Sequence, residues 1–113
     1  MALPLNVFQT ITYVAPGDKV GIYTAPTGYS GVILLAQATN VDSVSHTVSL
    51  DHVRSTAGIA VTTEVVKQMP ISGHDTMNLT AGKLVLESGD TLKLAASNPN
   101  HVKFIGSILE TLN

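Results

Sequence analysis

Four histidines, His46, His52, His74 and His101, are the residues best equipped for chemistry in this chain. An imidazole acts near neutral pH as a general base, a proton carrier or a metal ligand. His46 and His52 stand six residues apart in HTVSLDH. That even offset puts both on one face of a strand, about 20 Å apart, too far to share an ion. His74 lies in the turn SGHD and His101 follows NPN, and no pair has zinc-motif spacing. The sequence therefore reads these as surface or turn histidines, with a three-ligand site assembled across loops left open.

Nucleophilic chemistry has weaker support. Ser, His and Asp all occur, but no GxSxG elbow does; the nearest string, GYSGV at 28–32, has Ser30 one position out of place. Glu87 and Asp90 flank the SG of a tight hairpin, where the acids and the glycine serve the turn. NVDS (40–43) and NPN (98–100) offer oxygen ligands without the alternating acids of a calcium loop. Asn78–Leu79–Thr80 matches a glycosylation acceptor, a tripeptide common by chance. The expectation is a protein that is not an enzyme, with no cofactor and no metal.

The elements that must carry these residues are strands. Turn signals recur every 8–14 residues or so, at PGD (16–18), PTG (26–28), NVDS (40–43), TAG (56–58), PISG (70–73), AGK (81–83), SGD (88–90) and NPN (98–100). Between them the apolar residues alternate. Val48 and Leu50 alternate with Thr47, Ser49 and Asp51, and Leu92, Leu94 and Ala96 alternate with Thr91, Lys93 and Ala95. In DKVGIYT, the same rule groups Val20, Ile22 and Thr24 against Lys19, Gly21 and Tyr23. Two segments break the pattern, VILLAQA (32–38) and VKFIGSILETL (102–112), which are apolar on both faces. The second also matches a helical stripe, but Gly106, its β-branched residues and the lack of a terminal cap favour a strand. The fold expected is all-β: one antiparallel β-sandwich over residues 1–113, jelly-roll-like or Ig-like, with eight or nine short strands. Residues 1–12 are a first strand or an N-terminal arm. Strand order is open.

Composition narrows the function classes. The 113 residues include six Lys or Arg and eight Asp or Glu, only 12% charged, against about 25% for an ordinary domain. A net charge of −2 with scattered basic residues argues against nucleic acid. No apolar run approaches the length of a membrane span, and MALPLNVFQT lacks the basic start and apolar stretch of a secretory signal. Cysteine is absent, which removes disulfides and thiolate chemistry. So few charges on so small a domain favour association through its surface, with other subunits covering the doubly apolar strands.

The passages YTAPTG (23–28), Asn40 with SHTV (45–48), and LVLESGDTLKL (84–94) resemble small β-sandwich virion proteins of tailed bacteriophages, over roughly residues 22–109. The resemblance implies a non-catalytic structural copy in a phage particle: a capsid decoration or cement protein, or a neck, tail or baseplate subunit. Its partners would be other copies of itself and other virion proteins. Gly28, Gly82 and Gly89 would set turns. On the doubly apolar strands one set is expected at an interface: Ile33, Leu35, Ile105 and Leu109, or the opposite Val32, Leu34, Phe104 and Ile108. The N-terminal segment, with Leu5, Val7 and Phe8, would add a strand to a neighbour. Tyr23 and Tyr29, flanking TAPTG, are interface anchors. The alternative is a carbohydrate- or receptor-binding module that uses the same pair with Tyr13 as a stacking surface.

Overall fold

The structure, a computed structural model, describes residues 6–56 and 59–112. The described residues form nine strands: β1 (Asn6–Val14), β2 (Val20–Thr24), β3 (Tyr29–Asn40), β4 (His46–Thr56), β5 (Ile59–Ile71), β6 (Thr76–Asn78), β7 (Leu84–Leu86), β8 (Thr91–Ala96) and β9 (Val102–Leu112). No helix occurs among them, so the 102–112 segment is a strand. Leu5 lies outside the described residues. The remainder of the N-terminal segment, from Asn6, enters β1.

Two antiparallel sheets face each other, β1-β9-β3-β6 with β7 also paired to β3, and β2-β8-β4-β5. The pairs β1–β9, β2–β8, β3–β6/β7 and β4–β5 nest inside one another along the chain. This is one long antiparallel ribbon rolled up on itself, the jelly-roll solution to the sandwich. It excludes the Ig-like order.

Turn chemistry fixes where the ribbon folds back. Gly28 and Gly89 both adopt φ of +86°, which a side chain resists. Each is the third residue of a turn closed by a backbone hydrogen bond, Tyr29 N–H to Pro26 O at 3.0 Å and Asp90 N–H to Glu87 O at 2.9 Å. Gly82 is not at positive φ, so its turn does not demand glycine.

The core lies between the sheets and holds Ile33, Val48, Leu50, Leu86, Leu92, Leu94, Val102, Phe104 and Ile108, all buried. The alternation expected for β4 and β8 holds. It fails in β2 and β3, where the register slips by one residue. An extra residue at a bulge reverses the inward and outward sets beyond it. In β3 the bulge is at Leu34, so Ile33 points in while Leu34 and Leu35 both point out. In β2 it is at Ile22, and Val20 and Tyr23 share the inner face, paired with Leu94 and Leu92. The sequence grouping of Val20 against Tyr23 is corrected accordingly.

Candidate functional site

The outward face of the β1-β9-β3-β6/β7 sheet is the most distinctive surface of the molecule. Cross-strand partners share a face, so the registers assemble its rows. Phe8, Leu109, Val32 and Val85 form one apolar row across four strands. At the usual strand spacing it is about 14 Å long. The next row is Thr10, Ser107 and Leu35, with bulged Leu34 beside it. Then come Thr12, Ile105, Gln37 and Asn78, and last Val14, Lys103, Thr39 and Thr76. The last two rows and Val41 border an open groove of about 560 Å³ lined by Thr12, Val14, Thr39, Val41, Lys103 and Ile105.

Of the ten large hydrophobic side chains exposed among the described residues, seven stand on strands of this sheet and one, Val61, on the other. Phe8 is 74% exposed and Val85 52%. The outer face of the second sheet is polar by contrast. Asp51 faces Lys93 and Glu64 across the strands and binds the Lys19 ammonium at 2.5 Å. That hydrogen bond raises the Lys19 pKa.

The residues expected at an interface therefore separate. Phe8, Leu35, Ile105 and Leu109 lie on the outer face of the five-stranded sheet. Ile33 does not: it is 1% exposed, because the Leu34 bulge parts it from Leu35. Val7 is half-buried and paired with Glu110 on the inner side. Tyr29 is half-buried at the start of β3. Tyr23 is in the core, and its hydroxyl donates to Glu110 Oε2 at 2.6 Å. Burial first, and then that hydrogen bond, hold its phenol far above the usual range, so it remains a donor. Gln9 Nε2 donates to the other Glu110 oxygen at 2.6 Å. Gly31 makes room for the ring, since a Cβ there would come within 2.8 Å of the Tyr23 hydroxyl. A surface pair of Tyr23 and Tyr29 for stacking a sugar does not exist.

Two histidines are not surface residues. The side chain of His52 is 12% exposed and that of His46 4%. They serve separate clusters towards opposite ends of β4. His52 Nε2 lies 3.0 Å from Asp90 Oδ2. Asp90 also accepts from Arg54 Nη2 at 2.8 Å and from the Glu87 N–H at 2.9 Å. Burial raises the Asp90 pKa, but the hydrogen bonds from Arg54, Glu87 and His52 outweigh it and leave the group below its usual value. The Glu87 N–H bond is the turn role read from SGD, and the bonds from Arg54 and His52 lock that hairpin onto β4.

At the other end of β4, His46 Nε2 is 2.8 Å from Asp42 Oδ2 and its ring stacks on that of His101, centroids 4.8 Å apart and planes 9° from parallel. The hydrogen bond to His46, and next the one from the Ser43 N–H, lower the Asp42 pKa. Sequence spacing missed this cluster because its members come from three loops or strand ends. The Asp42 signal was present in NVDS, whose Asn40 caps the loop: Asn40 Oδ1 accepts from the Asp42 N–H at 2.9 Å.

No family model matches this chain, and no curated protein matches it. Solved structures do, at the level of fold. The chain is similar to a chain of the infectious bursal disease virus Gx strain, with a TM-score of 0.59 and 14% identity, covering 96% of this chain and 32% of that one. It is similar to a variant VP2 protein of the same virus in derived T=1 particles, with a TM-score of 0.55, 12% identity and the same coverage. A third likeness is to a chain of the T13 particle of that virus, with a TM-score of 0.53 and 12% identity over 97% of this chain and 32% of that chain. The protein thus shares a sandwich fold with chains from particles of this virus, and spans about a third of the length of those chains.

Proposed function

We propose that this protein is a structural subunit of a virus particle that works by association through the outer face of its five-stranded sheet, and that the particle is a tailed phage in which it decorates the capsid or builds the neck or tail. The observation that carries the reading is the apolar row Phe8–Leu109–Val32–Val85, continued by Leu34 and Leu35. Contiguous exposed apolar surface marks an interaction site. The low charge of the chain supports the same reading, as does the capsid fold of its structural neighbours. The resemblance of YTAPTG and LVLESGDTLKL to phage virion proteins supports the finer placement.

Light scattering of the purified chain over a concentration series tests the proposal. The expected result is a discrete multiple of 11.8 kDa that persists on dilution. Phe8→Asp together with Val85→Asp is expected to reduce it to a monomer with unchanged circular dichroism. A parent chain that is monomeric at high concentration, and gains no partner from the other virion proteins, overturns the reading.

A further inference from the structure

We propose that Asp42, His46 and His101 form a binding site for one divalent transition-metal ion of the zinc type at the loop end of the sandwich. This inference is independent of the apolar face and of the assembly reading. Two imidazoles and a carboxylate are a common three-ligand protein set for zinc, leaving a position for water. The nitrogen donors favour such ions over magnesium or calcium.

The geometry is close to what an ion needs. The three donor atoms lie within 4.8 Å of one another. Asp42 Oδ2 is 2.8 Å from His46 Nε2 and 3.7 Å from His101 Nδ1. Ligands around a tetrahedral zinc stand about 3.4 Å apart, from metal–ligand bonds of about 2.1 Å. The rings are stacked, so one must turn for both nitrogens to converge. His101 can do so, with its side chain 42% exposed, whereas His46 is held in place at 4%.

The surroundings pre-position the fixed ligands, as the outer shell of a metal site does. The Ser43 N–H binds Asp42 Oδ1 at 2.7 Å, which leaves Oδ2 facing the imidazoles. Buried Asn40 donates to Val44 O at 2.8 Å and Ile71 O at 2.9 Å, closing the loop that carries Asp42. The His74 N–H donates to Asp42 O at 3.0 Å, and the Val41 N–H to His101 O at 2.9 Å. Behind His46, Nδ1 faces Asn98 Nδ2 at 3.4 Å and Ser97 Oγ at 3.5 Å. Ser97 Oγ is thus placed to accept a hydrogen bond from the far N–H of a metal-bound His46 imidazole.

Titration of Zn²⁺ into the untagged full chain by calorimetry, in a non-chelating buffer near neutral pH, decides the matter. One ion per chain is expected to bind saturably, and the melting temperature is expected to rise with the logarithm of zinc concentration. His101→Ala removes the exposed ligand and is expected to weaken binding at least about tenfold, the least that loss of a metal-site group costs. Asp42→Asn gives the same loss with shape kept. His52→Ala, whose imidazole belongs to the separate Asp90 cluster, is expected to keep the parental affinity. No saturable heat, or parental affinity in His101→Ala and Asp42→Asn, overturns the proposal and leaves the cluster a hydrogen-bonded His–Asp pair under a stacked ring.

Discussion

Glu110 occupies an inward position of β9 and is 5% exposed, a place where an unpartnered carboxylate is costly. Its sequence position betrays it, because it continues the inward series Val102, Phe104, Gly106 and Ile108. Its partners were not legible: Gln9 is 101 residues away in the chain and Tyr23 87. Asp90 repeats the lesson, since its turn role was readable from SGD while Arg54 and His52 arrive from β4. Its depressed pKa has a consequence for acid stability. A carboxylate whose folded pKa lies below its unfolded value, 3.8, stabilises the fold above that value. The contribution is lost as pH falls through the folded pKa. Urea melts between pH 7 and pH 2 are therefore expected to show Asp90→Asn less stable than the parent at pH 7. The variant should also lose less on acidification. Parallel pH profiles for the two would contradict this.

At the scale of elements, the bulges decide which residues face out. A strict period of two places Ile33 with Leu35; the extra residue Leu34 divides them. Nothing in VILLAQA marks where the extra residue falls, since every candidate is apolar. β9 has no slip against β1, and its faces match the alternation throughout. Gly106 shows how tightly that strand is packed. A Cβ there would lie 3.0 Å from two ring atoms of Phe104, whose side chain is buried. Gly106→Ala is expected to destabilise the fold by about 1–3 kcal/mol, the usual cost of overpacking a core. Denaturant unfolding measures it, and an unchanged midpoint would mean the Phe104 ring yields freely.

For the molecule as a whole, the contrast between the sheets sets the character of any assembly. The outer face of β1-β9-β3-β6/β7 carries the apolar row Phe8, Leu109, Val32 and Val85 beside rows of mostly uncharged polar residues, with Lys103 as the charge on β9, whereas the other sheet carries the Lys19–Asp51 pair. An oligomer held by the apolar face is expected to persist in 1 M NaCl, where the screening length is about 3 Å. Dissociation by salt in light scattering would point instead to the charged sheet. The sequence by itself determined the all-β class, most turn sites, the inward sets of β4 and β8, and the low charge. These follow from local φ preferences and a period of two, which need only neighbours in the chain. Only the tertiary structure decided the jelly-roll order, the outward placement of Leu34 and Leu35 over Ile33, the burial of Tyr23, and the meeting of Asp42, His46 and His101. Those depend on which distant segments pair and in what register, a choice made by the rolled ribbon and its bulges, not by any local stretch.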